Sequence, residues 1–215
     1  MKTGLLFDLD GTLLDTLEDL LDATNYALRT YGYPERTLPE LRRFVGNGAE
    51  NQIRLSLPEG SSPDEVQKVL AVYKPYYTDH CQIKTRPYDG ALEALAVLCE
   101  KYPIAIVSNK PDSAVKALCA DYFPGFYALG EVPGCPRKPA PDMVHKAMET
   151  IGAEKCIYIG DSEVDVLTAK NAEVPCLSVL WGFRDKADME AVGADYFCEK
   201  TTDLVEKIEE IANGQ

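Results

Sequence analysis

The sequence predicts an α/β protein, with a parallel sheet flanked by helices and an all-helical segment inserted after the first strand. Three observations predict it. Short apolar runs at residues 5–7, 104–107 and 157–159 each stop on polar residues and each precede a helical pattern. Such β-branched or aromatic runs read as strands buried on both faces of a parallel sheet. Residues 15–82 carry helical periodicity and no strand signal, whereas strands and helices alternate from residue 87 onward.

The first run, Leu5-Leu6-Phe7, ends on Asp8, with Asp10 two residues later and Gly11-Thr12 next. Residues two apart on a strand share a side, so both carboxylates can converge at the strand end. Such a pair is held by a cation, or is a nucleophile beside an acid/base; Asp is also a covalent nucleophile toward phosphorus. Over residues 16–31, Leu17, Leu20, Leu21, Thr24, Leu28 and Tyr31 fall on one helical face, closed by Gly32 and Pro34. Residues 38–57 give two shorter helices. Residues 62–82 give a longer one, with Val66, Val69, Leu70 and Tyr73 on a stripe and Pro75 inside, where it is expected to kink or end the helix. After the turn Pro87-Tyr88-Asp89-Gly90, strands are expected near 104–107, 126–129, 157–160 and 176–180, with a short last one at Tyr196-Phe197.

The run at 104–107 ends on Ser108-Asn109-Lys110. The run at 157–159 ends on Gly160-Asp161-Ser162, with Asp165 one helical turn on. Ligands of open α/β sheets bind beyond the carboxyl ends of the strands, so these groups are expected to share one site of several carboxylates, a Ser, an Asn and, as a further candidate, a Lys. Each signal alone has an ordinary reading. Asp10-Gly11 is a common turn, Ser108 and Ser162 can cap helices, and Lys138 before Pro139 can be a loop charge.

A chain of 215 residues can bury a substantial core. Its net charge of −13 argues against nucleic acid and anionic membranes as partners. No run reaches transmembrane length and the N-terminus carries no apolar signal segment, so a cytoplasmic protein is expected. The seven cysteines form no C-x-x-C pair and are odd in number; they read as small buried hydrophobes in a reducing compartment. His80 and His145 read as packing or surface residues. The sequence sets no oligomeric state.

Taken together, the motifs resemble those of the haloacid-dehalogenase superfamily. Asp8-Leu9-Asp10-Gly11-Thr12 resembles its first motif and Ser108 its second. Lys138 in Arg137-Lys138-Pro139-Ala140-Pro141-Asp142 resembles its third, and Gly160-Asp161-Ser162-Glu163-Val164-Asp165 its fourth, all in the family's order. The resemblance covers the whole chain. It implies a Rossmann-like core over residues 1–14 and 86–215 and a helical cap over residues 15–85, hinged near 12–16 and 83–88. It further implies Asp8 as nucleophile, Asp10 as general acid/base, and Mg²⁺ on Asp8, the Asp10 carbonyl and Asp161, with Asp165 behind them. Gly11, Thr12, Ser108 and Asn109 would hold the phosphate and Lys138 would balance charge. The net acidity of the chain would then have to be reversed locally by the metal and Lys138.

In the expected cap, Gly46-Asn47-Gly48 resembles the substrate loop of phosphoglycolate phosphatases, although such a sequence also makes an ordinary turn. Arg43 and Arg54 are candidates to pair a substrate carboxylate, with solvated helix charges as the alternative. The implied activity is Mg²⁺-dependent hydrolysis of a small phosphorylated metabolite similar to phosphoglycolate. Asp10 argues against a dehalogenase or phosphonatase. A nucleotidase, a pyrophosphatase (though its usual Gly-Pro-Pro loop is absent), a β-phosphoglucomutase and a non-catalytic phosphate sensor stay open.

Overall fold

A computed structural model describes residues 2–214. The main sheet contains β1 (Thr3–Phe7), β4 (Ile104–Pro111), β5 (Tyr127–Glu131), β6 (Lys155–Gly160), β7 (Cys176–Val179) and β8 (Tyr196–Cys198). Their order is β5-β4-β1-β6-β7-β8, and every pairing is parallel. The strands alternate as a two-sided buried sheet requires. Leu5, Phe7, Ile106, Ile157 and Ile159 enter one apolar cluster, while Leu6, Ala105, Val107, Cys156 and Tyr158 enter another. Helices α5 (Ala91–Leu98), α6 (Asp112–Tyr122), α7 (Asp142–Ile151), α8 (Glu163–Asn171), α9 (Lys186–Ala191) and α10 (Leu204–Asn213) follow the strands.

Four helices lie between the first and second large strands: α1 (Leu17–Thr30), α2 (Leu38–Phe44), α3 (Gly48–Ser56) and α4 (Pro63–His80). α1 packs on α4 and α2, and α3 packs on α4, α2 and β4. Reciprocal side-chain to backbone bonds close the starts of α2 (Thr37 and Glu40) and α4 (Ser62 and Glu65). A two-stranded antiparallel ribbon, β2 (Leu14–Asp15) with β3 (Arg86–Pro87), joins the two chain crossings. Buried Asp19 on α1 accepts the N–H groups of Lys84 and Thr85, so the return crossing is tied to the outgoing one.

One sequence expectation is narrowed and one needs correction. Of the two outcomes expected at Pro75, an end is excluded: α4 runs on to His80. Pro75 removes one helical N–H, but Tyr73 and Tyr77 on either side are buried and stacked with centroids 5.5 Å apart. Tyr76 is stacked between Tyr26 and His80. Aromatic packing outweighs the lost bond. Cys99, expected to be buried, is exposed at the end of α5; all seven cysteines are unpaired thiols. No helix among the described residues is long and apolar enough to cross a membrane.

Candidate active site

β1 lies between β4 and β6. The chain fills the β4 side first and then crosses to the β6 side, so a crevice opens at the carboxyl end of β1, where strand order reverses. The polar residues that end the three apolar runs all face this point. Asp8 follows β1, Ser108, Asn109 and Lys110 lie on the end of β4, and Asp161 follows β6. β4 is longer than its apolar run because it continues through these polar residues to Pro111.

Lys138, 2% exposed, is the hub. Its Nζ donates to Asp8 Oδ1 (2.8 Å), Asp165 Oδ1 (2.8 Å) and the Tyr158 hydroxyl (2.9 Å). Asp165 is saturated. Its Oδ1 also accepts from Tyr158, and its Oδ2 accepts from Ser162 N and Oγ. Asp161 Oδ2 accepts Phe183 N at 2.6 Å, and its Oδ1 accepts Thr12 Oγ1 at 3.3 Å. Asp8 Oδ2 has no hydrogen-bond partner among the described residues and is the free oxygen of the cluster. Gly11, at φ 85°, is required here, since a Cβ would lie 2.2 Å from Asp161 Oδ2.

Burial drives the electrostatics. It pushes Asp8 up to about 7, with Lys138 opposing and Asp165 adding to the rise. It pushes Asp161 well above the usual carboxylate range, reinforced by Asp165 and Asp8. Burial works against the Lys138 ammonium, but Asp165 and Asp8 outweigh it and hold the lysine charged. Ligand oxygens of Asp8, Asp161 and Asp165 lie within 4.8 Å of one another. With Asp165 saturated, Asp8 and Asp161 remain as hard oxygen donors carrying more negative charge than Lys138 balances. That donor set fits a hard divalent cation.

A cavity of ≈ 40 Å³ lies over Asp8. Asp8, Asp10, Ser108, Asn109, Lys110 and Asp161 line it from below, and Leu20, Gly46, Gly48, Gln52, Tyr73 and Tyr77 from the helical segment above. Asp10 is held at its wall by Thr16 Oγ1 (2.7 Å) and Lys110 Nζ (2.7 Å). The helical segment is pinned down over the cavity. Asn109 Nδ2 donates to Gly46 O and Lys138 O. Arg184, fixed by Glu163, donates to the carbonyls of Arg42 (2.6 Å), Arg43 and Val45 (2.7 Å).

The structure thus brings together Asp8, Asp10, Ser108, Asn109, Lys138, Asp161 and Asp165, and with them Gly46 and Gly48. Other candidates sit differently. Thr12 is turned onto Asp161, and neither it nor Gly11 lines the cavity. Asn47 is exposed at the start of α3, outside the cavity lining. Arg43 is exposed, and Arg54 is exposed and bonded to Asn51; neither reaches the cavity. Sequence reasoning singled out neither Tyr158 nor Thr16 nor Arg184, and it left Lys110 without a role. For Lys110 the signal was its place on the polar end of a strand already assigned to the site. For the others the contacts are long-range or local turn geometry, and no motif marks them.

The chain is similar to known proteins over most of its length. The model of the haloacid dehalogenase-like hydrolase family matches residues 5–179. A phosphoglycolate phosphatase of Rhodobacter capsulatus is 36% identical over 202 residues, covering 89% of this chain and 90% of that one. An N-acetylmuramic acid 6-phosphate phosphatase of Pseudomonas aeruginosa is 27% identical over 216 residues, 96% of this chain and 94% of that one. A crystal structure from Lactobacillus delbrueckii subsp. bulgaricus, described as a candidate phosphoglycolate phosphatase, superposes with TM-score 0.91 at 39% identity. It covers 97% of this chain and 99% of that one.

Proposed function

The chain belongs to the haloacid dehalogenase-like hydrolase family and is a phosphoric monoester hydrolase, and from that premise we propose that it cleaves a small phosphate ester of the 2-phosphoglycolate class through an aspartyl-phosphate on Asp8. The four helices over residues 15–85 act as a cap, hinged at the β2–β3 ribbon, on a core formed by residues 1–14 and 86–215. The observation that carries the substrate reading is the small cavity of ≈ 40 Å³ over Asp8. One water needs about 10–15 Å³, so the space between cap and core is sized for a phosphoryl group with a very short leaving group. A sugar phosphate or nucleotide would hold the cap open.

The chain's own residues account for the steps. Asp8 Oδ2 attacks phosphorus in line while Lys138 holds Oδ1. The Asp8 Oδ2–P bond forms and the bond from phosphorus to the leaving oxygen breaks. Asp10 gives its proton to that oxygen. It then takes a proton from the water that attacks phosphorus, which frees phosphate and restores Asp8. Ser108 and Asn109 border the phosphoryl side. Mg²⁺ held by Asp8, Asp161 and the backbone carbonyl of Asp10 would neutralise the phosphoryl oxygens. Closing the cap would exclude water that competes with the proton transfers. The unpaired thiols support a reducing, cytoplasmic setting.

The test is phosphate release from 2-phosphoglycolate, N-acetylmuramic acid 6-phosphate, pyrophosphate, nucleoside monophosphates and sugar phosphates, ranked by kcat/KM with Mg²⁺ or EDTA. 2-Phosphoglycolate should lead, EDTA should silence the enzyme, and Asp8→Asn should lose at least about 10³-fold. A larger ester ranking first would overturn the substrate reading. Substantial Asp8→Asn turnover would overturn the covalent one.

A further inference from the structure

Four buried side-chain polar atoms lack a hydrogen-bond partner among the described residues: Tyr77 OH, Thr85 Oγ1, Asn109 Oδ1 and Ser178 Oγ. An unpaired buried polar group is unfavourable unless something else completes it. Of the residues that carry these atoms, Tyr77 and Asn109 line the cavity over Asp8. Asn109 belongs to the core, and its amide already bridges Gly46 and Lys138. Tyr77 comes from α4, on the cap side, and is 1% exposed.

The surroundings of Tyr77 are rigid and chemically one-sided. Its ring stacks on Tyr73 with an interplanar angle of 4°. The Tyr73 hydroxyl is already engaged by Gln52 Nε2, which also donates to Thr24 Oγ1. The polar chain of the cap therefore closes one residue short of Tyr77. On the core side, Lys110 Nζ sits 4.6 Å from the Tyr77 ring centroid while pairing with Asp10. Burial first, and then the Asp10 carboxylate, push the Tyr77 phenol well above its ordinary range, so at neutral pH it keeps its proton and can donate it in a hydrogen bond.

We propose that the Tyr77 hydroxyl is a specificity-determining group that donates a hydrogen bond to an acceptor oxygen on the leaving group, the carboxylate in the case of 2-phosphoglycolate. This rests on the proposed phosphatase reaction and names the part of the cap that reads its substrate. Position supports it: Asp10 protonates the leaving oxygen, so the leaving group lies between Asp10 and the cap, where Tyr77 stands. Elimination supports it too. Arg184, the arginine of the cavity wall, is occupied by Glu163 and the carbonyls of Arg42, Arg43 and Val45. A leaving group with an acceptor oxygen completes Tyr77, and one without leaves the hydroxyl orphaned in the closed site.

The test compares wild type and Tyr77→Phe on 2-phosphoglycolate and on n-propyl phosphate, whose leaving group is of similar length and has no acceptor. The preference for 2-phosphoglycolate, as a ratio of kcat/KM values, should fall by about 10- to 100-fold in the variant, the range expected for a hydrogen bond to a charged acceptor. Without substrate, Tyr77→Phe should melt at or above the wild-type temperature, since the change removes an unpaired hydroxyl and no contact. Tyr73→Phe, whose hydroxyl already has a partner, should move the ratio much less. An unchanged ratio in Tyr77→Phe, or a Tm several degrees below wild type, overturns the assignment. A wild type that prefers a different ester overturns the substrate reading instead; Tyr77 is then judged by the same ratio on that ester and its acceptor-free counterpart. A wild type with no phosphatase activity rejects both.

Discussion

Lys138→Met isolates the role of the buried ammonium. Met keeps an unbranched apolar stem but removes the three bonds that Nζ makes to Asp8, Asp165 and Tyr158 at 2.8–2.9 Å. Breaking a buried ion pair by deleting one partner costs about 3–5 kcal/mol, and here it leaves two carboxyls without their cation. That cost depends on pH in a direction the structure fixes. Asp8 is held up to about 7 from an ordinary 3.8. Its raised pKa therefore contributes stability that is present below 3.8 and is lost as pH rises through about 7. Lys138 is the group that opposes this rise, so in Lys138→Met the carboxyl climbs further and stability falls more steeply with pH.

Urea melts of both proteins in EDTA at pH 5.5 and pH 8 measure the effect. The difference should approach 3–5 kcal/mol at pH 8. It should shrink at pH 5.5 by at least ~1 kcal/mol, since each pKa unit is worth about 1.4 kcal/mol. Phosphate release should be lost at either pH. A difference that does not change with pH, or one below ~1 kcal/mol at pH 8, would refute the claim that Lys138 neutralises the cluster.

The cap makes two further predictions. Gly48 has φ +78°, and a Cβ there would lie 2.6 Å from Arg137 Nη1. Gly48→Val should lower kcat/KM for the preferred ester by at least about tenfold while affecting p-nitrophenyl phosphate less, because recognition is disturbed and the core chemistry is not. Equal losses on both would place the defect in cap closure. Arg184→Ala removes the guanidinium that joins Glu163 to the carbonyls at the end of α2. With net hydrogen bonds near 0.5–1.5 kcal/mol each, closure should weaken by about 1–3 kcal/mol. This reads as a fall of roughly 5- to 100-fold in kcat/KM and faster proteolysis near residues 83–86. Unchanged kinetics would mean that the latch is incidental.

How far the site was legible follows from which contacts are local. Asp8, Ser108 and Asp161 could be read because each ends an apolar run, and a strand end in a parallel sheet has one place to face. The same logic found the strands and the helical insertion. It is silent where tertiary partners decide. Pro75 removes a helical N–H by local rule, but Tyr73, Tyr76 and Tyr77 gain aromatic packing that only the folded cap supplies. Thr12, a phosphate ligand by the family resemblance, turns its hydroxyl onto Asp161, a residue 149 positions away. Net charge misleads in the same way. The chain carries −13, yet the lysines buried among the described residues, Lys110 and Lys138, both stand in the site. Each is paired with a carboxylate the proposed reaction uses, Lys110 with Asp10 and Lys138 with Asp8. Much of the excess acid sits on exposed helix faces, where water screens it, while the buried ammonium groups act at short range in low dielectric. In the proposed reaction a dianionic ester would meet a local potential set by these two lysines and the cation the site would hold, rather than by the sum over the chain.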